Sequence, residues 1–192
     1  MAELLDRPGP TTRPPGTATL VAAAPPPAEI RALAAVQRTA GHPQIVRTAR
    51  GMSLFGEHAG GWLALGALGA LVDRRRRREW LVATAGVALA HGASVGVKRV
   101  VRRARPDDPS VEVLVGTPSK LSFPSAHATS TTAAAVLYGG LVGVPLVPLI
   151  VPPMAVSRLV LGVHYPTDVL AGSVLGAAVA AVTRRAFRKG SR

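Results

Sequence analysis

Residues 121–140 read LSFPSAHATSTTAAAVLYGG. The second half is small and apolar, the composition of a segment that enters a bilayer, and the first half sets Pro124, Ser125 and His127 at its mouth. Pro124 suits the first turn of a helix. Ser125 can cap that helix or donate to an anion, and the free N–H groups of a helix start are themselves an anion site. Taken alone, the stretch reads equally well as a serine cap with an incidental histidine. What it means depends on what the rest of the chain brings beside it.

The chain has 192 residues, enough for one domain, and no cysteine, which excludes a disulfide framework, a zinc–thiolate site and a thiol nucleophile. Hydrophobic residues make up 48% and aromatic residues only 4%. Such a mixture of Ala, Val, Leu and Gly suits close packing between membrane helices better than a water-soluble core. The formal charge of +13 would suit nucleic acid, but the basic residues lie in tails and loops between apolar runs, with no aromatic interleaving. No nucleic acid is expected as a partner.

Working outward, residues 1–28 form a Pro/Ala-rich tail with no period, expected to be disordered and unlike a signal peptide. Residues 29–50 read as a short amphipathic helix, broken at Gly41 and Pro43, lying along the membrane surface. Residues 51–186 form a transmembrane domain, and 187–192 a basic cytoplasmic tail. Five apolar segments are spans: 52–72, 80–97, 126–143, 145–163 and 168–183. The third and fifth are short against the roughly 20 residues a crossing needs. The expected class is therefore an all-α integral membrane bundle of about five transmembrane helices.

The run DRRRRRE at 73–79 and the basic residues after 183 belong in the cytoplasm by the positive-inside tendency. With five spans, loop 98–125 and the end of the fourth span then lie outside. The basic residues at 98–105 and the N-terminal arginines run against the tendency there.

Three clusters share that outer face. KRVVRRARP, residues 98–106, sets Lys98 and Arg105 seven apart, about two helical turns, ahead of the helix-breaking Pro106. Its plain reading is the snorkelling end of a membrane helix. FPSAHATS, residues 123–130, is the opening stretch. SRLVLGVHYPTD, residues 157–168, carries Arg158, His164 and Asp168. Pro166 keeps His164 and Asp168 off one regular helix. Even so, an Asp near a His can fix one ring nitrogen as donor and leave the other as a free nucleophile. The plain reading is an interfacial Tyr165 anchor followed by an Asp cap. Together, however, Lys98, Arg105 and Arg158 supply cations, Ser125 and helix-start amides supply donors, and two histidines and one carboxylate complete the set. Such a group surrounds a phosphate, because guanidinium forks match phosphate oxygens and fixed cations stabilise the charge that builds during transfer. No acidic or histidine cluster has metal-ligand spacing, so neither metal nor other cofactor is expected.

In these residues the chain resembles the type 2 phosphatidic acid phosphatase family. The family's signatures are Lys, six residues, Arg-Pro; then Pro-Ser-small-His; then Ser-Arg, five residues, His, three residues, Asp. They stand here in order as Lys98 to Arg105–Pro106, Pro124–Ser125–Ala126–His127, and Ser157–Arg158 to His164 to Asp168. Ala126 departs from the commoner glycine but is small enough for the backbone to approach phosphate. The resemblance covers roughly residues 50–185. It implies a haloperoxidase-like helical core and metal-free hydrolysis of a lipid phosphate. In that mechanism His164 is the nucleophile that becomes a phosphohistidine, Asp168 orients it, and His127 is the general acid and base. Lys98, Arg105, Ser125, Ala126 and Arg158 hold the phosphoryl group. More narrowly, the surroundings of the motifs resemble actinobacterial members linked to arabinan synthesis, which implies a polyprenyl-linked phosphoribose as substrate and an active site on the extracytoplasmic face of the cell membrane.

Undecaprenyl pyrophosphate and phosphatidylglycerol phosphate are alternative substrates for the same residues. A scaffold that binds anionic lipid explains the charges but not both histidines and Asp168 at their spacings. Vanadate-dependent haloperoxidases share the anion site but are larger and soluble. Asp107, Asp108 and Glu112 could bond sugar hydroxyls, although solvated loop acids are the commoner case. Small-residue faces such as GALGALV and AGSVLGAAVA could pack within the chain or build a homo-oligomer.

Overall fold

The computed structural model describes residues 27–190, so the expected disorder of the N-terminal tail falls almost wholly outside it. The described residues form helices α1 (Ala28–Ala40), α2 (Pro43–Gly56), α3 (Gly60–Val72), α4 (Arg77–Val101), α5 (Ala126–Val142), α6 (Leu146–Val160) and α7 (Pro166–Gly190). Two short 3-10 turns, Glu57–Ala59 and Arg74–Arg76, precede α3 and α4. No strand occurs among them beyond one isolated bridge between Ala104 and Leu121.

The middle helix α5 carries most of the packing, lying against α4, α6 and α7. Its Ala133, Ala134, Leu137 and Tyr138 join Trp62, Trp80 and Val87 in the main core. The Trp62 Nε1–H donates to Thr131 Oγ1 at 3.0 Å and the Tyr138 hydroxyl to the Trp62 carbonyl at 2.9 Å, so the buried polar tips are satisfied. Glycines let α7 approach closely. A Cβ at Gly172 would sit 2.5 Å from the Ser125 carbonyl oxygen, and one at Gly176 2.2 Å from that of Thr129. Gly66 and Gly69 likewise face Thr84 and the Trp80 ring. These small-residue faces are therefore used inside the chain.

Two elements differ from expectation. The segment expected at 29–50 is parted at Gly41 and His42, close to the expected break at Gly41 and Pro43, but its second helix runs on past 50 through Gly56. The first apolar span, expected as one helix over 52–72, is broken at Glu57–Ala59, where His58 (φ 50°) and Ala59 (φ 60°) turn left-handed. The polar pair Glu57–His58 and the weak helix formers Gly56, Gly60 and Gly61 concentrate there, and the break lets α2 fold across the site end of α5. The 13-residue α3 continues to the opposite end.

Helices α1 and α2 pack on α6 and pin the loop between α4 and α5. Gln37 donates to the Glu112 and Val160 carbonyls and accepts from the Glu112 N–H. Arg50 Nε donates to the Leu114 carbonyl at 2.9 Å. A second core of Ala49, Val160, Leu161 and Val163 packs against Leu114 and Val115 of this loop.

Two helices, Arg74–Val101 and Pro166–Lys189, are long and apolar enough to cross a membrane. Exposed Leu68, Leu71, Leu89, Leu149, Leu170 and Val174 spread apolar surface over α3, α4, α6 and α7, more than a water-soluble monomer shows.

Candidate active site

Each cluster sits at a helix end, and the three ends meet. Lys98 lies in the last turn of α4, buried, its Nζ donating to the Leu121 and Ser122 carbonyls at 3.1 and 3.0 Å. Helix α4 stops at Arg102, which is left-handed (φ 54°), and the chain turns so that Arg105 points back. Its Nε donates to the Ser119 carbonyl at 2.8 Å and its Nη1 to that of Val163 at 2.6 Å. Arg105 is depressed to about 10 by burial, and so remains a cation at neutral pH.

Ser125 caps α5, its Oγ accepting from the Ala128 N–H at 3.4 Å, and its own N–H donates to the Asp168 carbonyl at 2.9 Å. Ala126 opens the helix and His127 follows one residue on. The His127 Nε2 lies 2.9 Å from the Ser53 carbonyl, a partner that must receive a proton, so Nε2 carries it here. The Ser53 hydroxyl oxygen also accepts from Arg158 Nη1 at 3.0 Å. Arg158, almost wholly buried on α6, is further held by Ser157 Oγ and the Ala49 carbonyl.

His164 occupies the turn before α7 and Asp168 the first turn of that helix, so they share no regular helix yet lie 3.4 Å apart, Nδ1 to Oδ2. That is an ion-pair distance, long for a hydrogen bond, as catalytic contacts commonly are without substrate. The other ring nitrogen, Nε2, is 3.3 Å from Arg105 Nη1. A guanidinium only donates, so Nε2 must hold the lone pair and Nδ1 the proton facing Asp168. Burial lowers the His164 pKa to about 4, against the opposing pull of Asp168 and with the help of Arg105 and Lys98. The ring is neutral at pH 7.

Lys98, Arg105 and Arg158 are bonded to carbonyls and hydroxyls and pair with no described carboxylate, which leaves three cations at one place for an anion. Asp168 is instead paired with Arg103, at 3.0 Å. Arg103, Glu29 and Ser53 were not among the residues expected at the site. The residues they bond through these side chains lie 64 or more residues away in sequence, beyond any local spacing rule. Asp108 is used in a local turn with Ser110, and Asp107 and Glu112 are exposed, which fits solvated loop acids.

The family model described as PAP2 superfamily matches residues 79–192, over half of the chain. The chain belongs to the PAP2 superfamily. Among relatives, the decaprenylphosphoryl-5-phosphoribose phosphatase of Mycobacterium tuberculosis is 58% identical over 155 residues, covering 80% of this chain and 88% of that protein. The protein of the same name from Mycolicibacterium smegmatis is 62% identical over 141 residues, 73% of this chain and 78% of the relative. A transmembrane PAP2-type phosphatidylglycerolphosphate phosphatase from Bacillus subtilis superposes with a TM-score of 0.65 over 83% of this chain and 86% of that one, at 23% identity, and so shares the fold. This PAP2 protein is a membrane protein, all-helical, with all three signature clusters at one end. Ser53 and Glu29 lie outside the residues matched by the PAP2 model.

Proposed function

We propose that this PAP2 protein is a metal-independent lipid phosphatase that removes the 5-phosphate of a polyprenyl-linked phosphoribose, decaprenylphosphoryl-5-phosphoribose, in cell-wall arabinan precursor synthesis. The observation that carries the reading is the neutral His164 set between Asp168 and Arg105 beside two further unpaired cations. The substrate rests on the printed names of relatives at 58 and 62% identity.

In the proposed reaction the phosphoryl oxygens take the donors of Lys98, Arg105, Arg158, Ser125 and the Ala126 N–H. The His164 Nε2 lone pair attacks phosphorus as the bond to the ribose 5-oxygen breaks. The leaving alkoxide takes a proton from His127. Asp168 balances the charge left on the His164 ring. Water then attacks phosphorus, giving a proton to His127, and the nitrogen–phosphorus bond breaks to release phosphate and neutral His164. The Ser53 carbonyl holds the His127 ring in place for this, so α2 takes part in the step. An apolar groove of 580 Å³ between α2 and α6, lined by Ile45, Met52, Pro153 and Val156, runs beside Ser157 and offers surface for the polyprenyl chain.

We place the site on the extracytoplasmic face and let α3 to α7 make five crossings. The arginine run leads into α4 at Arg77 and Lys98 lies in its last turn, 21 residues on, or about 32 Å at 1.5 Å per residue. A bilayer therefore fits between them, and positive-inside bias sets the arginines in the cytoplasm. A cysteine at exposed Ser110 should label from outside; labelling only from the cytoplasm would overturn this orientation.

The deciding experiment is phosphate release by purified protein in detergent with EDTA present. Its substrates are decaprenylphosphoryl-5-phosphoribose, undecaprenyl pyrophosphate and phosphatidylglycerol phosphate, with His164→Ala alongside. Preference for the first, lost in the variant, supports the reading. Preference for another moves the protein to a different lipid with the same residues. No release from a folded sample leaves an anion-binding site and ends the enzyme reading.

A further inference from the structure

Asp168 is fully buried, and each of its oxygens has a separate task. Oδ2 accepts from the Tyr165 N–H at 2.9 Å and faces His164. Oδ1 accepts from Arg103 Nη1 at 3.0 Å. The Arg103 guanidinium lies 3.9 Å over the Tyr165 ring, which fixes its plane. Its Nη2 donates to Glu29 Oε2 at 2.6 Å, and Nη1 also donates to Thr167 Oγ1 at 2.8 Å. The other Glu29 oxygen accepts from the Thr167 hydroxyl at 2.6 Å and its N–H at 3.2 Å. Every bond runs in a consistent sense: Thr167 Oγ1 accepts from Arg103 and donates to Glu29. The result is a closed ring that joins the first turn of α1, the loop after α4 and the first turn of α7.

Within this ring Arg103 bonds Asp168, Thr167 and Glu29, and no bond of it reaches His164, His127 or the three unpaired cations. Among the described residues it is the one signature-cluster cation paired with carboxylates.

We propose that Arg103 is a positioning residue for the hydrolysis, fixing the Asp168 carboxylate and through it the His164 ring, and that Glu29 holds Arg103 in place, so that the N-terminal helix α1 is a working part of the active site. This rests on the assignment of His164 and Asp168 made above. Without Arg103 the carboxylate keeps its Tyr165 bond and can swing about it. The proton on His164 Nδ1 then loses its fixed acceptor, while the phosphate-holding groups stay where they are. The expected signature is a loss in kcat with little change in KM.

The test uses full-length protein in detergent and measures phosphate release from the polyprenyl-linked phosphoribose, with inhibition by inorganic phosphate as a report on the anion site. Arg103→Ala should lower kcat by about 10- to 100-fold, the range for groups that orient a reacting side chain, with KM and phosphate inhibition within about twofold. Arg103→Lys should recover part of the loss, because it restores the charge without the fork. Glu29→Gln should cost several-fold in kcat. In an Asp168→Asn background Arg103→Ala should cost little more, since both act through one contact. Unchanged kcat in Arg103→Ala, or a loss carried by KM and phosphate inhibition, would overturn the proposal while leaving the phosphatase reading intact. Equal further loss in the Asp168→Asn background would also overturn it. If Arg103→Ala does not fold, Arg103→Lys and Glu29→Gln decide by the same split. Wild-type protein inactive on every lipid phosphate would take both readings down together.

Discussion

Arg105 Nη1 and His164 Nε2 lie 3.3 Å apart, a cation donating to the nitrogen proposed to attack phosphorus. The contact holds the lone pair in place, and the same guanidinium can follow the incoming phosphoryl oxygen. Arg105→Ala is expected to lose on the order of 10²–10³-fold in kcat/KM, the usual cost of removing one donor to a developing anion. Steady-state phosphate release checks it, and a kcat/KM within a few-fold of wild type would remove Arg105 from the reaction.

The acid limb of the pH profile follows from His164. In the proposed reaction the reactive form is the neutral ring, and burial holds its pKa at about 4, so kcat/KM should rise with pH through about 4 and be level with respect to this group near neutrality. Arg105 pushes that pKa down and Asp168 pulls it up. The limb should therefore move to higher pH in Arg105→Gln and to lower pH in Asp168→Asn. Initial rates from pH 3.5 to 8 in detergent measure it; opposite movements would contradict the arrangement of charges around the ring.

What could be read in the chain was whatever repeats at short range. Apolar runs with basic ends marked α4 to α7 closely, and the three signature clusters each fall within a dozen residues, so their spacing carried meaning. Pro166 correctly parted His164 from Asp168 by helix while leaving them neighbours. The break at Glu57–Ala59 was hidden because apolar residues flank it on both sides. Glu57, His58 and the glycines around them weaken the helix there, but the close approach of Gly56 to the His127 ring is a tertiary contact that no local spacing announces. Arg103 stood in plain view inside KRVVRRARP. Nothing local separates it from Arg99 or Arg102, and its distinction comes from Asp168 and Glu29, both supplied by distant helices.

That Gly56 contact makes a prediction. A Cβ there would lie 2.6 Å from His127 Cδ2 and 3.4 Å from Met154 Cε. Gly56→Ala must therefore push the imidazole off the Ser53 carbonyl. Misplacement of a reacting group by about 1 Å costs on the order of 10²-fold, so kcat should fall by at least ~10-fold in protein that still folds. Wild-type kcat in Gly56→Ala would show that His127 has no need of this position.

The seam between α5 and α7 carries the last prediction. A Cβ at Gly172 would lie 2.5 Å from the Ser125 carbonyl oxygen, 3.1 Å from Thr129 Oγ1 and 3.2 Å from Ala128 Cβ. The nearest atom is backbone and cannot rotate away. Helix propensity favours Ala over Gly by about 1 kcal/mol, but overpacking of this kind costs about 1–3 kcal/mol, so Gly172→Ala should lower the Tm in detergent. It should lower kcat as well. The same seam holds the Ser125 N–H on the Asp168 carbonyl at 2.9 Å, and prising α7 from α5 separates the helix start proposed to bind phosphate from the carboxylate proposed to orient His164. Gly92 on α4 has nothing within 4 Å of its added Cβ, so Gly92→Ala gains the helix propensity without the clash and should hold or raise the Tm with kcat unchanged. Thermal unfolding and phosphate release on the two variants side by side separate a general intolerance of added methyl groups from the seam argued here. Equal behaviour of the two would mean that the α5–α7 contact does not set the site.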